Sequence, residues 1–161
     1  MTSSPTIRPL ESRDRSTVSG IVQAVGNFSP EEIQTALELV DAALADGESS
    51  GYLCWVLEDE EGVRGYLCLG PTPLTDGTYD LYWIAVHPSV QGRGYGRALT
   101  QFAEEETKVR GGRMLLIETA SQDAYGATVR FYERAGYELV SRISDFYKVG
   151  DDKLTFAKRL G

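Results

Sequence analysis

Residues 79–97 read YDLYWIAVHPSVQGRGYGR, a strand pattern that runs directly into a glycine-rich loop. Aromatic and β-branched residues fill Tyr79–Val86, which predicts a buried strand. The glycines at positions 92, 94 and 96 let several backbone N–H groups approach an anion, because no Cβ stands in the way. A helix predicted after the loop would add the positive end of its dipole. The stretch therefore predicts a strand–loop–helix unit able to bind a diphosphate.

The glycine pattern excludes the two common nucleotide-binding loops. A P-loop requires a lysine followed by serine or threonine, and residues 91–97 contain no lysine. A dinucleotide-binding fingerprint requires Gly-x-Gly-x-x-Gly, and its last position falls on Arg97 or Leu99 here. Arg93 and Arg97 are instead placed to add charge-assisted hydrogen bonds to an anion.

The rest of the chain alternates between extended and helical patterns. Strands are predicted near Thr6–Leu10, Tyr52–Glu58, Arg64–Gly70, Met114–Thr119, Tyr137–Arg142 and Leu154–Arg159. Helices are predicted near Asp14–Val25, from Ser29 to Gly47, from the glycine loop to Arg110, and over Tyr125–Ala135. This order predicts the α+β class, with a parallel crossover between the strands at 79–86 and 114–119.

Composition and charge narrow the class of protein further. The chain has 161 residues, of which 42% are hydrophobic, and this predicts one domain over residues 1–161. A net charge of −8 argues against a nucleic-acid partner. The apolar runs are too short to cross a bilayer and no secretory signal is visible, so we expect a cytoplasmic protein with no membrane partner. Two cysteines and one histidine form no metal-ligand pattern, so we expect no metal.

Two segments carry a resemblance to a known family. Residues 83–105, WIAVHPSVQGRGYGRALTQFAEE, resemble the Gln/Arg-x-x-Gly-x-Gly/Ala motif of the GNAT family of N-acetyltransferases through Gln91, Gly94 and Gly96. Residues 131–140, FYERAGYELV, resemble the later helix and strand of that family. The resemblance implies a three-layer α/β/α fold whose mixed central sheet contains a splayed pair of parallel strands. It also implies direct transfer of an acetyl group from acetyl-CoA to a primary amine.

The resemblance further implies where the coenzyme binds. Backbone groups of Ile84, Ala85 and Val86 would pair with the pantetheine amides. The loop would hold the pyrophosphate, through the set Gln91, Gly92, Arg93, Gly94, Tyr95, Gly96 and Arg97. Many members of the family carry an asparagine where this chain has Tyr125, so we carry over no coenzyme contact for that position.

Candidate catalytic residues follow from the needs of acetyl transfer. Tyr132 matches the tyrosine that the family commonly places near the coenzyme sulfur, and a phenol can protonate a departing thiolate. Glu118 ends an otherwise apolar strand and is our first candidate for the base. Asp80 and His87 are alternatives, and an amine that arrives deprotonated needs no base.

Candidate acceptor-binding residues are mostly aromatic. They are Phe28, Tyr82, Asp145, Phe146 and Tyr147, the last three lying in the predicted connection between the last two strands. Aromatic walls with a carboxylate suit a small ammonium-bearing acceptor, which the acidic surface would also attract.

The sequence is also compatible with other functions. The acceptor could instead be a protein N-terminus or a lysine, and the chain could be a non-catalytic domain that senses coenzyme A. Pairing through the last strands is common in the family, so a homodimer is a further expectation.

Overall fold

The computed structural model describes residues 4–122 and 126–161 as a sheet with helices on both faces. The strands are β1 (Thr6–Pro9), β2 (Leu53–Asp59), β3 (Gly62–Pro71), β4 (Thr78–Val86), β5 (Met114–Ala120), β6 (Glu138–Lys148) and β7 (Asp151–Arg159). The longer helices are α1 (Arg15–Val25), α2 (Pro30–Asp46), α3 (Tyr95–Val109) and α4 (Ala127–Arg134). Within the described residues, no helix is long and apolar enough to span a membrane. The predicted helix start at Tyr125 lies outside the described residues.

The seven described strands form one mixed sheet in the order β1-β2-β3-β4-β5-β7-β6. Only β4 and β5 pair in parallel among these strands, joined by α3 as the crossover. The other neighbouring pairs are antiparallel. The mixed sheet and the crossover expected from the sequence are therefore confirmed.

Two apolar clusters hold the helices against opposite faces of the sheet. α1 and α2 cover one face with residues that include Val18, Ile21 and Val40, packed against Val56 and Tyr66. On the other face, α3 and α4 contribute a second set, which includes Leu99, Ala103 and Tyr132 and packs against Leu67, Ile117 and Phe156. The arrangement confirms the α/β/α layers. After the roles expected of their residues from the sequence, we call the second face the coenzyme face and the first the acceptor face.

The start of α2 is fixed by its first residues. Ser29 Oγ accepts a hydrogen bond from the Glu32 N–H at 3.1 Å, and Glu32 Oε1 accepts one from the Ser29 N–H at 3.1 Å. This capping box, with Pro30 in the first turn, ends the preceding loop at a defined point. Phe28 is held just before it and packs on Trp83 of β4, with ring centroids 5.0 Å apart.

The last two strands differ from the sequence prediction. Residues 144–147 were expected to connect them, but they belong to β6, and the connection is only Val149-Gly150. The β6–β7 register passes from Ile143 opposite Lys153 to Lys148 opposite Asp151, so residues 144–147 form a large bulge. Asp145 takes a left-handed φ of 57°, which polar turn residues tolerate. The left-handed conformation of Asp145 thus gives the strand a turn-like backbone at this point.

Candidate active site

The parallel strands β4 and β5 separate after a short ladder. Their pairing runs from Thr78 opposite Met114 to Leu81 opposite Ile117. Beyond that point β4 continues to Val86 and β5 to Ala120 without pairing to each other. The edge of Ile84–Val86 that faces β5 is therefore free to pair with another group, while the opposite edge pairs with β3. This is the splayed strand pair expected from the sequence.

A β-bulge lies where the strands begin to separate. Leu69 of β3 pairs with Leu81 and Cys68 pairs with Trp83, which leaves Tyr82 without a partner on β3. An extra residue changes the alternation of side chains along a strand. Tyr82 and Trp83 accordingly both pack on the acceptor face, although they are consecutive. No local pattern in the sequence predicts this bulge, which places Tyr82, a predicted acceptor-binding residue, on the same face as Trp83.

The glycine loop forms an open cradle beyond the end of β4. Gly92 and Gly94 have φ values of 84° and 83°, which favour glycine, and a Cβ added at either would meet nothing within 4 Å. Gly94 is the N-cap of α3 and supplies no side chain to cap it. The first N–H groups of α3 have no partner within the helix, and the helix dipole places partial positive charge there. The loop can therefore bind an anion through its backbone.

Two residues of the predicted loop set, Tyr95 and Gly96, also contact neighbouring elements. Tyr95 is buried, and its hydroxyl donates a hydrogen bond to Asp59 Oδ2 at 2.8 Å. This bond anchors the first turn of α3 on the end of β2. Gly96 packs against Phe131, since a Cβ there would lie 3.8 Å from the ring. Both residues can still offer backbone N–H groups to a ligand.

A cavity of about 370 Å³ lies next to the loop, between α3 and α4. Another cavity, of about 380 Å³, lies away from the loop. The cavity next to the loop is lined by Arg97, Thr100, Gln101, Glu104, Phe131, Arg134, Ala135 and Lys158. Three basic side chains and one carboxylate make its lining positive overall. Arg97 was predicted from the sequence. Arg134 and Lys158 were not, because their positions in this cavity depend on how α4 and β7 pack.

Tyr132 lies in the apolar core of the coenzyme face. Its side chain is only 4% exposed, and its ring contacts those of Phe131, Tyr137 and Phe156. Burial raises the pKa of the Tyr132 hydroxyl well above its usual value. The phenol therefore stays protonated near neutral pH, and the raised pKa makes it a weaker acid than an exposed tyrosine. Ile117, the last β5 residue paired with β4, belongs to the same apolar cluster.

The two candidate carboxylates lie on the acceptor face at the splay. Asp80 is half-buried on β4 and accepts a 2.6 Å hydrogen bond from the Thr72 hydroxyl to Oδ2. Burial raises the pKa of Asp80, and the negative charge of Glu118 acts in the same direction. Glu118 directly follows the last paired residue of β5 and is half-exposed. The structure thus brings the first candidate base and its main alternative together.

Lys153, which was not predicted from the sequence, lies beside Glu118. Its Nζ is 3.5 Å from Glu118 Oε1 and 4.8 Å from the ring centroid of Phe146. Its positive charge also acts on Asp80, because it lowers the pKa of that carboxyl. The predicted last strand began at Leu154, whereas β7 begins three residues earlier, at Asp151. An earlier start would have placed Lys153 on the same face of β7 as Thr155.

The expected acceptor residues fall into two groups. Tyr82 packs edge-on against Tyr52 at 5.3 Å, and burial, followed by the charge of Asp80, raises the pKa of Tyr82 to about 12. Phe146 lies near Lys153, and Tyr147 contacts the Phe146 ring at 4.9 Å. Burial, and then the charges of Glu118, Asp151 and Glu32, raises the pKa of Tyr147. Both aromatic residues of β6 thus lie near the splay.

Asp145 and His87 are occupied with local structure. Asp145 Oδ1 accepts a hydrogen bond from the Gly150 N–H at 2.8 Å, which closes the turn after β6. His87 Nδ1 accepts one from the Ser89 N–H at 3.1 Å and caps the short turn before the glycine loop. Both side chains stabilise backbone that the site depends on.

Comparison with known proteins agrees with this geometry. The family model of the acetyltransferase (GNAT) domain matches residues 50–139. A crystal structure of a protein assigned to that family from Desulfovibrio desulfuricans is 40% identical, covers 98% of this chain and all of its own, and superimposes with a TM-score of 0.93. The chain belongs to the GNAT acetyltransferase family.

Two further relatives are more distant. Mycothiol acetyltransferase from Beutenbergia cavernae is 29% identical over 117 residues, which cover 71% of this chain and only 38% of that protein. A structure of an acetyltransferase from Salmonella typhimurium with its cofactor acetyl-CoA shares the fold, with a TM-score of 0.76 at 22% identity over 99% of this chain and 95% of that one. These likenesses support the GNAT fold and leave the acceptor of this chain open.

Proposed function

We propose that this protein transfers the acetyl group of acetyl-CoA to a small primary amine, by direct attack of the amine on the thioester. One observation carries the proposal: the β4–β5 ladder stops at Leu81 and Ile117, between an anion cradle and a cluster of carboxylates. The separation of the strands opens the sheet at this point. A thioester bound there would be reachable from both faces.

Acetyl-CoA fits the groups on the coenzyme face. The backbone N–H groups of residues 92–97 would hold its pyrophosphate, and the free edge of Ile84–Val86 would pair with the pantetheine amides. Arg97 and Arg134, in the cavity between α3 and α4, suit the remaining phosphate of the nucleotide.

The acid and the base lie on opposite faces of the sheet. An amine must lose a proton before or during attack, and Glu118 and Asp80 on the acceptor face can take it. The C–N bond then forms and the C–S bond breaks, and the departing thiolate takes a proton from Tyr132 on the coenzyme face. Attack from one side with protonation on the other matches the positions of these three side chains. The presence of both proton acceptors and a proton donor also supports an enzyme over a domain that only binds coenzyme A.

The acceptor face suits a small ammonium-bearing molecule. Asp80 and Glu118 supply negative charge, and Tyr82, Phe146 and Tyr147 supply aromatic faces near it. We assign Asp145 to the turn that shapes this wall, because its carboxylate is bonded to Gly150. Phe28 would contribute indirectly, through its packing on Trp83.

The test is a panel of amines offered with acetyl-CoA, with release of the free thiol as the readout. We expect turnover of a primary amine by the parent protein and its loss in Gly94→Glu, since a carboxylate would enter the cradle. Gly111→Glu is the matched control. Gly111 also has a φ of 83° and open space at its Cβ, but it follows the opposite end of α3.

Three results would contradict parts of this proposal. Unchanged acetyl-CoA affinity by calorimetry in a folded Gly94→Glu protein would refute the coenzyme site. Equal losses in both glycine variants would show that only folding had been disturbed. Tight coenzyme binding without turnover of any amine would indicate a coenzyme-sensing domain, and turnover of peptides alone would indicate a protein acceptor.

A further inference from the structure

The chain already carries a primary amine where an acceptor amine would have to bind. Lys153 Nζ lies 3.5 Å from Glu118 Oε1, and its charge acts on Asp80. These are the two carboxylates best placed to take a proton from an attacking amine. The Phe146 ring, 4.8 Å away, completes the surroundings that suit an ammonium group.

The register explains how this amine reaches the splay. Lys153 pairs with Ala120 near the end of β5, whereas Glu118 lies two residues earlier, next to the last residue paired with β4. Two strand residues span roughly 7 Å, which the long side chain of a lysine can cover. A lysine at this register can therefore reach the point where the strands separate, and the 3.5 Å contact with Glu118 agrees with this.

The other three lysines of the chain have different surroundings. Lys108 lies in the last turn of α3 and pairs with Glu105 at 3.4 Å. Lys158 is held on the coenzyme face by Glu104 and the Ala135 carbonyl, both at 2.9 Å. Lys148 ends β6 opposite Asp151, at the turn into β7. Lys153 is thus distinguished among the four by its contact with a carboxylate at the splay.

We propose that the protein acetylates its own Lys153 from bound acetyl-CoA. This inference rests on the proposed function, because it uses the same thioester position. The Lys153 amine loses a proton to Glu118 and attacks the thioester carbon. The N–C bond forms, the C–S bond breaks, and the thiolate takes the Tyr132 proton, which solvent later replaces. The amine must leave its ion pair with Glu118 in order to attack, so this reaction is slower than transfer to a free acceptor.

Acetylation changes the charge of the acceptor face. The amide product is neutral, so Glu118 loses its ammonium partner and Phe146 loses the cation over its ring. Both groups then become available to an external ammonium. Self-acetylation thereby raises the affinity of the site for cationic acceptors.

The experiment incubates the full chain with acetyl-CoA and no acceptor, followed by intact-mass measurement and peptide mapping. We expect one acetyl group per chain, located on Lys153, at a rate per molecule that does not change with protein concentration. Lys153→Arg abolishes the labelling and the control Lys148→Arg keeps it. Gly94→Glu also abolishes it, whereas Gly111→Glu keeps it.

Other outcomes overturn the inference. Equal labelling in Gly94→Glu, or labelling spread over several lysines, would mean uncatalysed acetylation. A rate proportional to protein concentration would mean transfer between molecules. An unlabelled Lys153 in a protein that turns over amines in the panel would refute self-acetylation and leave the proposed function intact. An unlabelled protein that also turns over no amine would refute both.

Discussion

Tyr132 and Tyr137 are neighbouring buried tyrosines. We expect removal of the Tyr132 hydroxyl to lower activity and removal of the Tyr137 hydroxyl to lower stability. Their rings are 5.7 Å apart, and both are 4% exposed. Tyr132→Phe keeps the ring contacts and removes the proton donor assigned to the thiolate. Tyr137→Phe removes a hydroxyl that donates to Glu104 Oε2 at 2.9 Å, away from the proposed chemistry.

The structure sets the size of each effect. Loss of a general acid lowers turnover by roughly 10²- to 10⁴-fold, which corresponds to about 3–5 kcal/mol of activation free energy. A hydrogen bond to a carboxylate contributes about 1.5–3 kcal/mol to stability. Glu104 keeps its contact with Lys158 Nζ at 2.9 Å in the Tyr137 variant, so we expect the lower end of that range. At about 2–4 °C per kcal/mol, Tm should fall by roughly 3–6 °C.

The two variants are compared with the parent in one set of assays. Steady-state thiol release gives kcat, calorimetry gives the acetyl-CoA affinity, and a thermal melt gives Tm. We expect Tyr132→Phe to lose kcat while keeping affinity and Tm, and Tyr137→Phe to lose Tm while keeping kcat. A Tyr132→Phe enzyme whose kcat stays within twofold of the parent would return Tyr132 to a packing role.

Two further changes test the acceptor face. Burial raises the pKa of Asp80, so the folded protein holds the proton of this carboxyl more tightly than the unfolded chain does. The free energy of unfolding therefore falls as the pH rises from below the ordinary pKa of aspartate through the raised one. The Tm of Asp80→Asn, compared with that of the parent, should therefore be more favourable at neutral pH than at acidic pH, and kcat/KM for the acceptor should fall. Curves of Tm against pH that run parallel in variant and parent would contradict the assigned burial. Phe146→Ala should raise the acceptor KM and leave the acetyl-CoA KM nearly unchanged; equal changes in both KM values would exclude Phe146 from the acceptor wall. Asp145→Ala should lower Tm instead, because alanine cannot accept the hydrogen bond from the Gly150 N–H.

The coenzyme face could be predicted from sequence because its parts are local. A glycine loop can bind an anion through its own backbone, so the residue types that such a site needs appear as a continuous motif at 92–97. The strand before it and the helix after it are equally visible, as the bounds of β4 and α3 confirm. Tyr132 could be located because a second short motif surrounds it.

The acceptor face could not be predicted in the same way, because it depends on register. Glu118 and Lys153 are far apart in sequence and meet only through the pairing of β5 with β7. Asp80 was visible as a carboxylate, but its hydrogen bond from Thr72 and its burial require the fold. The turn-like composition around Asp145 predicted a loop, since no local signal separates a bulge from a turn.

The bulge in β6 also affects what the free edge of the sheet can do. β6 is one of the two edge strands of the described sheet, and its side chains are exposed along its whole length. An uninterrupted edge of this length would be a template on which strands of other chains could add and aggregate. The bulge at residues 144–147 breaks the row of unpaired backbone groups, and a second register shift between Leu139 and Ser141 interrupts the first half of β6. These irregularities limit intermolecular strand addition, and the larger one also places two aromatic side chains, Phe146 and Tyr147, near the groups around Glu118.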